Sequence, residues 1–146
     1  MAVRWIAGHV AQSAMTPIAP PQQRLTELIL HSRAFAGAPD NKPAVVEALS
    51  GMQRTFGDLR NHVPAAKHAM KRDFGVTKGT TAVLVSPNHA DYFTAVQSVV
   101  GLGGVISPLN PAYQRAEISH QLKASQARWV VCPFGCSVAS NKSVTT

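Results

Sequence analysis

The chain has 146 residues, 45% hydrophobic and 14% charged, and fourteen Lys and Arg against seven Asp and Glu give a net charge of +7. That is the composition of one globular domain or a large piece of one, and two cysteines exclude a disulfide-stapled secreted scaffold. No apolar run approaches the length of a membrane-spanning helix, so no membrane span is expected.

The cations are scattered. Their densest group is Lys67, Lys71 and Arg72, with Lys78 just beyond, and only Phe56 and Phe74 lie near it. That is a solvated helix face without a stacking platform for bases, so no specific nucleic-acid partner is expected.

Residues 1–23 read as an irregular leader of small residues followed by Pro17, Pro20 and Pro21. Residues 1–26 contain no acid, with Arg4 and Arg24 as cations, which only faintly matches a mitochondrial presequence. The C-terminal Ser-Val-Thr-Thr is not a peroxisomal address. The compartment is left open, with the cytoplasm ahead of the mitochondrion.

From Arg24 the pattern is helical. Leu25, Leu28, Ile29 and Phe35 recur at helix spacing, and Gly37 with Pro39 marks the stop. Val45 and Val46 form a strand core, Ser50 to Gln53 a turn, and Arg54 to Phe56 a returning strand, together a small β-hairpin. Thr55 and Asp58 then give a T-x-x-D helix start. Leu59, Val63, Ala66, Met70 and Phe74 follow along one face. Pro64 sits inside and is expected to kink or weaken the helix.

Gly75 is the expected C-cap, with Val76 packing back. Thr81 to Ser86, "TAVLVS", is a continuous apolar strand suited to a buried parallel sheet, ended by Pro87 and Asn88. Asp91 to Leu102 is a helix with little polar circumference, expected to be buried on more than one side. Gly103 and Gly104 close it without a Cβ clash. Val105 to Ser107 is the next strand, and Pro108 and Pro111 keep the chain extended beyond it. Gln114 to Lys123 is a helix with Ile118 and Leu122 on its apolar face, and Ala127 to Val131 is a last strand. Residues 132–146 are small and polar, read as a divergent, disordered tail.

The order from Thr81 is strand, helix, strand, helix, strand with short connections. It predicts an α/β fold with a parallel, layered sheet, preceded by a helix and a small hairpin.

These residues resemble a known family. Thr55, Phe56, Asp58 and Leu59 match a threonine-aromatic-x-acidic-leucine start. Gly75, Val76, Lys78 and Gly79 match a glycine-valine plus lysine-glycine corner. Pro87 and Asn88 match a proline-asparagine strand end. Gly101 to Gly104, then Asn110 and Pro111, match a glycine-ended helix with an asparagine-proline corner. In order and spacing, residues 24–131 are similar to the N-terminal part of the AMP-forming acyl-CoA synthetases, whose relatives include 4-coumarate–CoA ligase and firefly luciferase. Pro64 departs from the family's pattern.

The resemblance implies activation of a small carboxylic acid with ATP and magnesium to an acyl-adenylate, then thioester formation with coenzyme A. The family does this with a Gly/Ser/Thr-rich loop closed by proline-lysine, an aromatic-glycine-x-threonine-glutamate segment, a ribose-binding aspartate and a lysine on a mobile C-terminal domain. None of these motifs occurs in this sequence. Gly79, Thr80 and Thr81 only echo the phosphate loop, because Thr81 leads straight into an apolar strand. The chain is therefore expected to bind no cofactor and to be inactive alone. The alternative is a non-catalytic interaction module that pairs with a complementary synthetase fragment or with itself.

No catalytic, cofactor or metal residue is assigned. Among six histidines, His89 beside Asp91 is the most site-like, because ligands of such sheets gather at the carboxyl ends of strands. Its plainer reading is an exposed helix-start residue. Cys132 and Cys136, without a second pair, are a weak metal signal and read as reduced thiols.

Overall fold

The computed structural model describes residues 22–132 and, by backbone alone, two strands before them. Those strands, β1 (Val3–Ile6) and β2 (Val10–Ser13), pair antiparallel, with Val3 opposite Ser13 and Ile6 opposite Val10. An irregular leader was expected, and for these two segments the expectation fails. The β-branched and aromatic residues Val3, Trp5 and Ile6 favour extended backbone, and the second segment gives that backbone its hydrogen-bond partners. The tail beyond residue 132 lies outside the described residues.

The single helix expected from Arg24 is two, α1 (Leu25–Leu30) and α2 (Arg33–Ala36). Ser32 divides them. Its backbone is extended and its hydroxyl accepts the Phe35 N–H at 3.2 Å, so it opens a new helix where spacing alone continues the old one. Phe35, 8% exposed, meets Phe56 edge-on at 5.2 Å and stacks on Phe93 at 6.3 Å. Thr26 is also buried, and its hydroxyl donates to Gln97 Oε1 at 2.8 Å.

The hairpin forms as expected from β3 (Pro43–Val46) and β4 (Gln53–Thr55). Phe56 does not extend the strand but opens α3 (Phe56–Phe74), because Thr55 and Asp58 close a reciprocal cap. The Asp58 N–H donates to Thr55 Oγ1 at 3.1 Å, and the Thr55 N–H to Asp58 Oδ2 at 2.8 Å. The helix continues through Pro64, held by buried Leu59 and Val63 on its inner face. Gly75 ends it in the left-handed conformation (φ 62°), and the Val76 N–H folds back to the Met70 carbonyl at 3.1 Å.

The core is the three-stranded sheet of β5 (Thr81–Val85), β6 (Val105–Leu109) and β7 (Trp129–Val131), in the order β6-β5-β7 and all parallel. Helices α4 (Tyr92–Val100) and α5 (Arg115–Ser125) make the crossovers. The chain steps from β5 one way to β6, then back past β5 to β7. Two crossovers of the same hand in opposite directions must leave their helices on opposite faces. The packing shows this. Ala82, on one face of β5, clusters with Val99 of α4, Met70 of α3 and Val76. Val83, on the other face, clusters with Leu109, Ala127 and the α5 residues Ile118 and Leu122.

The close of α4 needs glycine. A Cβ on Gly104 would lie 2.7 Å from Val99 Cγ1 and 3.0 Å from the Thr80 and Val99 carbonyl oxygens. Pro108 is tolerated in β6 because that strand is at the sheet edge.

Candidate functional site

In an open parallel sheet, a crevice forms at the carboxyl ends of the two strands between which the chain changes direction. Here those strands are β5 and β7. A cleft of about 330 Å³ lies at that place, lined by Leu84, Ser86, His89, Asp91, Tyr92, Ala95, Val131 and Cys132. A second, more open hollow of about 400 Å³ lies on the other side of His89 and Tyr92, against Val45, Asn88, Phe93, Val96 and Gln97. The loop from Ser86 to Asp91 therefore forms a shared wall.

That wall is fastened twice. The Asp91 N–H donates to His89 Nδ1 at 3.1 Å, which makes the imidazole a local cap at the start of α4. With Nδ1 accepting, the neutral ring carries its proton on Nε2. From the hairpin, Arg54 grips the Asp91 carboxylate in a fork: Nε to Oδ1 at 2.6 Å and Nη2 to Oδ2 at 3.0 Å. This hydrogen bond holds the Asp91 carboxyl below its usual range and Arg54 above its own. Asp58 is also held below the usual range, chiefly by the Thr55 N–H.

His89 is thus neither free nor fully exposed: its side chain is 28% exposed and bonded on one nitrogen. The sequence singled out His89 and Asp91, named Cys132 only as a weak metal signal, and missed Arg54 and Tyr92. No local spacing connects Arg54 to Asp91, and Cys132 reaches the cleft only because β7 lies beside β5. Cys136 lies outside the described residues. A hollow of about 590 Å³, larger than these two, is a shallow one on the outer flank of α5, where Glu117 accepts the Gln114 N–H at 2.8 Å.

The turn that echoes a phosphate loop does not fit a phosphate. The Thr77 N–H donates to Thr80 Oγ1 at 3.0 Å, the Gly79 N–H to the Gly103 carbonyl at 2.9 Å and the Thr80 N–H to the Thr77 carbonyl at 3.0 Å. Those amides are spent on closing the turn. The cleft fits a triphosphate no better: among the described residues its one formal charge is the Asp91 carboxylate, and no three His, Cys, Asp or Glu could hold a metal ion. Of the basic cluster, Arg72 is paired with Asp73 at 2.6 Å.

An open parallel sheet with a reversal in strand order and a cleft at its carboxyl ends defines an α/β protein of the doubly wound class. The family model described as AMP-binding enzyme matches residues 32–146, and the chain belongs to that family. It is 33% identical over 125 residues to 4-coumarate–CoA ligase-like 9 of Oryza sativa subsp. japonica, covering 84% of this chain and 22% of that protein. It is 35% identical over 88 residues to 4-coumarate–CoA ligase-like 1 of Arabidopsis thaliana, covering 60% of this chain and 16% of that protein. Among solved structures, the N-terminal subdomain of Klebsiella oxytoca NpsA matches with a TM-score of 0.65 at 15% identity, covering 79% of this chain and 29% of that one. At that identity the likeness is one of fold. The chain spans about a fifth of the length of the ligases it matches.

Proposed function

We propose that these residues form the leading parallel-sheet portion of a 4-coumarate–CoA ligase-like enzyme, one that activates a small carboxylic acid as its adenylate and passes the acyl group to coenzyme A. The observation that carries this is the family match over residues 32–146 on a sheet of order β6-β5-β7. The family uses ATP, magnesium and coenzyme A, but the described residues do not fit the phosphates or the metal. By itself the chain has no ligase activity. Its contribution is architectural: β5 and β7 set the crevice, and Arg54 and His89 fix the crevice wall. The purified chain, mixed with ATP, magnesium, coenzyme A and a panel of carboxylic acids, is expected to release no pyrophosphate above background. Release that depends on one of the acids overturns the reading.

A second reading is an interaction module that pairs with a complementary synthetase chain or with itself. It is favoured by the outer edges of β6 and β7, which pair with no strand among the described residues, and by exposed Val105 and Phe74. Self-association in size-exclusion chromatography supports this reading. A monomer with cooperative melting counts against it.

A further inference from the structure

The shared wall of the two hollows carries a titratable group at its hinge. His89 Nδ1 accepts the Asp91 N–H at 3.1 Å and lies 3.8 Å from Asp91 Oδ2. An imidazole offers a lone pair on Nδ1 only while neutral; once protonated, both ring nitrogens are donors. The Asp91 N–H would then face another N–H, whereas the Asp91 carboxylate close by becomes the favourable acceptor. That carboxylate already accepts two bonds from Arg54.

We propose that His89 is a proton-operated latch on the cleft wall. Neutral, it ties the loop from Ser86 to Asp91 to the start of α4. Protonated, it releases the Asp91 amide and turns Nδ1–H to Asp91 Oδ2, in competition with Arg54 Nη2. The Arg54 Nε bond to Oδ1 is untouched, so acid loosens the wall without detaching the hairpin from it. The charged and titratable groups around the latch come from four places: Arg54 on β4, Asp58 and His62 on α3, Asp91 and Tyr92 at the start of α4, and the Cys132 thiol just after β7. The His62 charge acts on both carboxylates, so it is the rival source of such an effect. This inference concerns the loop and holds whether or not the parent enzyme forms an adenylate.

The test is amide hydrogen exchange at Asp91 in the full chain, corrected for intrinsic rates and followed from mildly acid to mildly alkaline pH. Protection is expected to fall about two- to tenfold in acid, the range one net hydrogen bond supplies. His89→Asn places a carbonyl oxygen where Nδ1 sits and does not titrate, so it should keep protection throughout. His62→Gln should behave like the unaltered chain. Unchanged protection in the unaltered chain, the same fall in His89→Asn, or loss of the fall in His62→Gln overturns the proposal. Imidazole nitrogen shifts of the unaltered chain give a readout free of mutation. Nδ1 unprotonated and Nε2 protonated above the transition is expected, and the opposite tautomer overturns it.

Discussion

Arg54 clasps Asp91 through two near-parallel hydrogen bonds, 2.6 and 3.0 Å long, across a sequence separation of 37 residues. The pair joins the β3–β4 hairpin to the start of α4, and so to the loop that walls the cleft. Asp91 is 44% exposed, so water screens the attraction and the pair's worth is modest. Arg54→Ala and Asp91→Ala should each cost about 1 kcal/mol or less in urea denaturation, with a coupling of about 0.5 kcal/mol between them in a double-mutant cycle. Arg54→Lys should not restore the coupling, since an ammonium cannot form the fork. Full restoration by lysine contradicts this account.

The same pair sets a pH dependence. Arg54 holds the folded Asp91 carboxyl below its usual range, so the unfolded chain takes up the proton first as pH falls. The contribution is fully present above the unfolded value of about 3.9 and is lost as pH drops through the lower folded value. Acid denaturation followed by circular dichroism should show a flatter limb below pH ~4 in Asp91→Asn than in the unaltered chain. Identical limbs count against it.

The reciprocal cap at Thr55 and Asp58 decides where strand becomes helix. Thr55→Ala removes the acceptor for the Asp58 N–H, seen at 3.1 Å, and should cost about 1 kcal/mol, while Thr55→Ser should lose only a few tenths. Thermal melts of the two variants distinguish a cap from a packing role, because alanine and serine both lack the threonine methyl.

Gly104→Ala drives a methyl to within 2.7 Å of Val99 Cγ1 and 3.0 Å of two carbonyl oxygens. Backbone cannot yield as a side chain can, so the turn between α4 and β6 must shift, at a cost of about 1–3 kcal/mol. Gly51 has open space around it, so Gly51→Ala tests only the strain of φ 71°, about 1–2 kcal/mol. An unchanged midpoint for Gly104→Ala in urea contradicts the close approach.

What was legible in the sequence was what local physics writes locally. The apolar run at Val83 to Val85, the Thr55–Asp58 cap and the glycines after α4 each declare an element within a few residues, and their order gave the parallel sheet. Helices α1 and α2 were merged because Leu28, Ile29 and Phe35 keep one spacing, whereas the hydroxyl of Ser32 breaks it. The strands β1 and β2 were missed because a two-stranded ribbon shows itself in the pairing of two segments more than in either one. The cleft was half legible: His89 and Asp91 follow a strand end, but Cys132 arrives only through the strand order β6-β5-β7, and Arg54 comes from a hairpin outside that sheet through its bonds to Asp91.

That strand order bears on how the molecule is made. The middle ribbon is synthesised before either flank, and Ala82 meets Ile106 on one side long before it meets Trp129 on the other. Closing the longer span adds only about 0.6 kcal/mol of chain entropy, so the delay is one of time more than of energy. Until Trp129 to Val131 leaves the ribosome, one whole side of the central strand is bare backbone, open to any passing extended peptide. In that interval the bare edge is the part of the nascent product a chaperone would have to cover.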